Sequence, residues 1–147
     1  MKKILVKTLK DWDKIAQMIV PRLKSGTIIA LSGPLGAGKT TFVQILARTL
    51  GAKVNPRSPT FSLLRTYKLK AKSSKLVRLV HVDAYRIENE KDVRPLNLEE
   101  ELKEPGTILS IEWPENIKNW LTHQSTPIIH LSIQLQKNNS RLITLRV

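Results

Sequence analysis

The sequence predicts an α/β fold of three layers, with helices on both faces of a central mixed, mainly parallel sheet to which antiparallel hairpins are added. Three observations predict it. A short apolar run at residues 27–32 leads directly into the glycine-rich stretch Gly33-Pro34-Leu35-Gly36-Ala37-Gly38-Lys39-Thr40-Thr41, and a helical pattern follows. Further buried strands are expected at 76–83 and 107–112, each ending in an acidic residue, as in a parallel sheet that opens beside such a loop. The chain of 147 residues, 41% hydrophobic, is long enough for one core and leaves little room for a second. One domain over 1–147 is the expectation, of the P-loop NTPase type.

The glycine-rich stretch matches the pattern G-x-x-x-x-G-K-[ST] at every fixed position. Glycines let the backbone curl so that successive N–H groups point inward and form a nest for phosphate oxygens. Gly33, Leu35, Gly36, Ala37, Gly38, Lys39, Thr40 and Thr41 are therefore the predicted nucleotide-binding residues. Lys39 reaches the β- and γ-phosphates and Thr40 offers a hydroxyl to Mg²⁺. The helix beginning near Lys39 directs its positive dipole end at the same phosphates.

Residues 2–9 read as a strand. Thr8, followed three residues later by Asp11, predicts a helix start, and Ile15, Ala16, Ile19 and Leu23 mark its apolar face, with Pro21 shortening or kinking it. After the phosphate loop, Phe42, Ile45, Leu46 and Leu50 keep helical spacing up to Gly51. Residues 52–59 form a loop containing two prolines, and 61–67 with 76–83 are two strands of a hairpin. The lysine-rich run 68–75 between them is a solvated hairpin loop. Residues 88–104 are acidic with regularly placed leucines, predicting one or two short helices before Pro105-Gly106. A buried strand at 107–112, a short helix at 114–121 with proline in its first turn, and strands at 128–135 and 142–147 around Lys137-Asn138-Asn139 complete the chain.

Composition excludes several classes. Without cysteine there is neither a disulfide nor a thiolate metal site. Lys7 interrupts the first apolar run and no small-residue cleavage site follows, so no signal peptide is read, and no apolar stretch approaches 18 residues. A soluble, cytoplasmic protein without membrane contact is expected. With 25 Lys and Arg against 12 Asp and Glu, the formal charge of +13 favours nucleic acid or an acidic partner, although few aromatic residues are available for base stacking.

Phosphoryl transfer needs a carboxylate on Mg²⁺, directly or through water, and a group that orients the attacking water. Asp83 and Glu112, at the ends of two apolar strands, have the right context. His81 is expected to face the sheet interior or a neighbouring hydroxyl and has no His or Cys at metal-ligand spacing.

Taken together, the loop GPLGAGKTT, Ser58-Pro59-Thr60-Phe61, His81-Val82-Asp83-Ala84-Tyr85-Arg86 and Ile111-Glu112-Trp113-Pro114 resemble the TsaE (YjeE) family in order and spacing, from about residue 26 to 114. The resemblance implies an ATPase, weak alone and using ATP and Mg²⁺. It would be required for the threonylcarbamoyl modification of adenosine 37 in tRNAs reading ANN codons, acting with the TsaB–TsaD pair and resetting that complex. Carried over by residue, Lys39, Asp83 and Glu112 are the catalytic set, and Thr40, Asp83 and Glu112 the metal set. Ser58 and Thr60 match a loop resembling a nucleotide-sensing switch. Trp113 packs near the site, presents a partner contact or lies within the core, and Arg86 is assigned a structural ion pair rather than a role as an arginine finger. Contact with tRNA would come through the complex, and the protein alone would be a monomer. Pro34 and Ala84 stand where the family commonly has an acidic and a bulky apolar residue; neither position supplies the chemistry above.

Three other functions use the same loop. A small-molecule kinase needs an acceptor pocket and an arginine-bearing lid, for which the chain has little room. A GTPase needs N-K-x-D, whereas Asn89-Glu90-Lys91-Asp92 has these residue types in the wrong order. A non-catalytic docking module would bind nucleotide and partners without hydrolysis.

Overall fold

The computed structural model describes residues 1–53, 63–70 and 75–147. Seven strands form one sheet: β1 Lys2–Val6, β2 Ile28–Ser32, β3 Leu64–Lys68, β4 Arg78–Asp83, β5 Thr107–Glu112, β6 Ile128–Leu135 and β7 Arg141–Arg146. Their order across the sheet is β1-β7-β6-β2-β5-β4-β3. The four inner strands β6, β2, β5 and β4 are mutually parallel, and the outer β7, β1 and β3 join antiparallel. The expected mixed sheet with antiparallel hairpin additions is therefore present. β3–β4 and β6–β7 are the two hairpin pairs, and β1 closes one edge by pairing with β7.

The inner strands are continuous apolar runs because both faces are covered. On one face lie α1 (Leu9–Ile19) and α2 (Lys39–Thr49), whose Trp12, Ile15, Ile19, Phe42, Ile45 and Leu46 bury against Ile29, Leu31, Ile129 and Leu131. The rings of Trp12 and Phe42 stand 5.8 Å apart and join the two helices. Each such aliphatic side chain contributes about 1.5–3 kcal/mol when fully buried. On the other face, a 3₁₀ segment Glu90–Leu96, α3 (Leu98–Lys103), a 3₁₀ turn Pro114–Ile117 and α4 (Lys118–Thr122) cover β4, β5 and part of β2.

Local chemistry sets the boundaries. Asp11 accepts from the Thr8 N–H at 3.0 Å and from the Thr8 hydroxyl at 3.1 Å, holding the start of α1 as the sequence predicts. Pro21 ends α1 at Ile19, and Val20–Arg22 continues as a 3₁₀ turn. Gly51, at φ 81°, follows α2 in the left-handed conformation that glycine favours after a helix. The expected strand at 61–67 is seen as β3, starting at Leu64; residues 61–62 lie outside the described set, as do 71–74 of the lysine-rich run. No helix among the described residues is long and apolar enough to cross a membrane.

Candidate nucleotide site

The phosphate loop connects β2 to α2 and is shaped by the chain around it. Gly33 has φ 145°, and a Cβ there would lie 2.6 Å from the Ile133 carbonyl oxygen of β6, so backbone approaches backbone where only hydrogen fits. Gly38, at φ 107°, is the residue before α2, and a Cβ on it would press on Trp12 Cζ2 at 3.1 Å. The loop is thus held between β6 on one side and α1 on the other.

Lys39 is 4% exposed. Its ammonium donates to the Gly33 carbonyl at 2.7 Å and the Pro34 carbonyl at 2.9 Å, and sits 4.0 Å from the centre of the Trp113 ring. Burial pushes this ammonium below the ordinary lysine range; the Glu112, Glu115 and Asp83 carboxylates pull in the opposite direction. A lysine so placed is desolvated in advance.

Parallel pairing of β4 and β5 sets Asp83 beside Glu112 at the carboxyl ends of the two strands. Glu112 is 3% exposed, and its Oε1 accepts the Thr40 hydroxyl at 2.8 Å. Lys39, Thr40, Asp83 and Glu112, together with Leu35, Gly36, Gly38, Thr41, Tyr85 and Trp113, line one cavity of about 250 Å³. The structure therefore brings the predicted loop residues and both predicted acids to one place. Gly33 and Ala37 support it from beneath, Ala37 being fully buried. Ser58 and Thr60, the expected switch residues, lie outside the described residues.

Several features escape sequence reading. His81 is fully buried in the sheet interior, one of the two placements expected, and its Nε2 is 2.8 Å from Glu112 Oε1, so its polar partner is a carboxylate rather than a hydroxyl. A carboxylate oxygen only accepts, so Nε2 carries a proton toward Glu112; Nδ1 has no partner among the described residues. The signal was present in the sequence as His81 two residues before Asp83 on a strand, since alternate residues share a face. Trp113, expected near the site among other placements, adopts φ 59°, lies 4.0 Å from the Lys39 ammonium and meets the Tyr85 ring at 4.9 Å, lining the cavity while also packing on the core. Asn116 Nδ2 donates to the Ala84 carbonyl at 2.9 Å and ties the turn after β4 to the turn after β5. Arg86 is exposed and outside the cavity lining.

A second cavity of about 250 Å³ adjoins the first across the loop. Val6, Lys7, Thr8, Leu9, Trp12 and Arg141 line it, and it shares Gly36, Gly38 and Thr41 with the first. The N-terminal strand and helix thus line a cavity beside the phosphate loop as well as contributing to the core.

Oxygen donors such as the Thr40 hydroxyl and the Asp83 and Glu112 carboxylates suit a hard cation held by one or two carboxylates. Among the described residues no group of three or more His, Cys, Asp or Glu is placed to hold a metal.

Comparison with known proteins identifies a family. The family described as "Threonylcarbamoyl adenosine biosynthesis protein TsaE" matches residues 6–143. The tRNA threonylcarbamoyladenosine biosynthesis protein TsaE of Rickettsia felis is 34% identical over 97% of this chain and 78% of its own length. The protein of the same name from Bacillus subtilis is 32% identical over 82% of this chain and 71% of its own. The crystal structure of YdiB from Bacillus subtilis superposes with a TM-score of 0.71 at 26% identity, covering 98% of this chain and 83% of that one. With a match spanning nearly the whole sheet and both strands that carry the acids, the chain belongs to the TsaE family of tRNA threonylcarbamoyladenosine biosynthesis proteins.

Proposed function

We propose that the protein is a Mg²⁺-dependent ATPase that acts with the TsaB–TsaD pair in forming the threonylcarbamoyl group on adenosine 37 of tRNAs reading ANN codons. ATP binding and hydrolysis reset that pair between turnovers. The observation that carries this reading is the convergence of Lys39, Thr40, Asp83 and Glu112 on one cavity above the phosphate loop, at the carboxyl ends of parallel strands.

The residues divide the work. The loop backbone and the amino end of α2 receive the phosphates. Lys39, held by the Gly33 and Pro34 carbonyls, exchanges these neutral partners for phosphate oxygens and gains charge-assisted bonds. Thr40, Glu112 and Asp83 would hold Mg²⁺, which neutralises charge on the phosphates. Asp83 and Glu112 also accept hydrogen bonds from water and so can orient an attacking molecule. The second cavity, between Trp12, Thr8 and Arg141, takes the ribose and base. Among the described residues no arginine lines the first cavity, in keeping with the slow turnover proposed for the isolated protein.

Phosphate release from ATP and from GTP, with and without the TsaB–TsaD pair, tests the reading. Partner-stimulated ATP hydrolysis that Lys39→Ala abolishes is the expected result. Absence of stimulation together with absence of nucleotide preference overturns it.

A further inference from the structure

We propose that the outer edge of β3 and the groove beside it bind the phosphate backbone of RNA. The first observation is the segregation of charge along the chain. Residues 14–82 contain no Asp or Glu but 13 of the 25 Lys and Arg, while ten of the 12 acids fall within residues 83–115. A general bias toward lysine raises the number of cations everywhere. It does not clear acids from one half of a chain.

The second observation is where the fold puts that half. β3 is the last strand of the sheet, so no strand covers its outer side among the described residues. Lys53, Arg65, Lys68 and Lys70 converge there on a groove of about 500 Å³, with Thr66 and Tyr67 between them. Lys53, Lys68 and Lys70 are exposed and Arg65 is half-buried. None of the four is in an ion pair among the described residues, and the undescribed residues 54–62 and 71–74 contain no acid to pair with them. Lysine on an edge strand also discourages pairing with another sheet. That role needs one or two cations; it does not account for four around a single groove.

Uncompensated cations along an extended edge suit a polyanion with regularly spaced charges. Tyr67 is 8% exposed and belongs to the core, so base stacking contributes little and contact is with the backbone rather than with sequence. RNA is the polyanion of choice because the relatives of this chain are named for tRNA threonylcarbamoyladenosine biosynthesis. The proposal goes beyond the ATPase reading and does not depend on hydrolysis, so either can fail while the other stands. β3 pairs with β4 from Leu64↔Val82 to Lys68↔Arg78, and the basic edge therefore begins beside the acid-bearing end of β4 and runs away from it.

The test uses the full chain and an unmodified tRNA transcript with adenosine at position 37, with binding followed by fluorescence anisotropy across a salt series. The variant carries Arg65→Glu, Lys68→Glu and Lys70→Glu. A control of equal charge change carries Lys10→Glu, Lys118→Glu and Lys137→Glu on exposed positions elsewhere. The edge variant should lose about 10- to 100-fold in affinity relative to the control, with the slope of log K against log salt shallower by about 2 to 3. Unstimulated ATP hydrolysis and the melting temperature should match the wild type, which shows that the variant folds. Equal losses in both variants would mean diffuse charge and overturn the proposal, as would absence of salt-dependent binding by the wild type. Normal RNA binding with lost capture by the TsaB–TsaD pair would assign the edge to an acidic protein instead and overturn it equally.

Discussion

His81 Nε2 lies 2.8 Å from Glu112 Oε1, the same oxygen that accepts the Thr40 hydroxyl. The carboxylate is thereby anchored from a neighbouring strand on one side and from the helix after the phosphate loop on the other. Such supporting contacts typically matter by about 10- to 100-fold in metal affinity or activity. His81→Ala should raise the Mg²⁺ concentration for half-maximal ATP hydrolysis by about tenfold or more and lower kcat. His81→Gln, which can return an N–H donor, should recover part of the Mg²⁺ dependence. If both variants melt lower but keep the wild-type Mg²⁺ profile, the histidine is packing alone.

Lys39 is a buried charge whose partners in the fold are two carbonyls and an aromatic face. Losing a hydrogen bond to a charged group costs about 1.5–3 kcal/mol. Lys39→Met should therefore weaken ATP binding by about 10- to 100-fold in calorimetry. Its melting temperature should stay level or rise, because the substitution removes a charge whose desolvation opposes folding. A large fall in melting temperature would contradict this account of the lysine.

Gly38 and Gly36 offer an internal comparison. Both have positive φ, 107° and 75°, but a Cβ at Gly38 meets Trp12 at 3.1 Å whereas one at Gly36 meets nothing within 4 Å. Gly36→Ala should cost about 1 kcal/mol of backbone strain, and Gly38→Ala about 1 to 3 kcal/mol once Trp12 must give way. Thermal melting should show the larger drop for Gly38→Ala, and equal drops would argue that Trp12 adjusts freely.

His130 sets an acid-side limit. Although His130 is exposed, partial desolvation of its ring first, and Arg146 second, hold its imidazolium below the ordinary value of 6.5. The unfolded chain then binds more protons than the folded one as pH falls through 6.5, so stability declines toward acid. His130→Gln should flatten the change in urea midpoint between about pH 7.5 and pH 5.5. Asp11 does not confuse that window. Backbone bonds from Lys7, with help from Lys14 and Thr8, lower its pKa, so its contribution is present above its ordinary value of 3.8 and is lost only in stronger acid.

The strand, loop and helix around Lys39 were legible in the sequence because glycine positions, an apolar run and helical spacing agree locally. Asp83 and Glu112 were legible as strand-end acids, and parallel pairing places them side by side. The cavity lined by Thr8, Trp12 and Arg141 was not, because Arg141 comes beside the phosphate loop only through the pairing of β1 with β7, a contact between opposite ends of the chain. The His81–Glu112 contact was missed for a related reason. Local pattern shows which face a residue takes, whereas register decides which side chain stands opposite it.

β2 carries the phosphate loop, yet its two neighbours in the sheet are β5 and β6, which come much later in the chain. During translation the complete loop motif therefore leaves the ribosome before either flanking strand exists. Gly33 packs on Ile133 of β6, so the loop lacks its supporting wall until that strand has been made. ATP can stabilise only the state that binds it. On the proposed ATPase reading the nucleotide therefore does not guide the early nascent chain, and the supporting wall of the phosphate loop arrives late in biosynthesis.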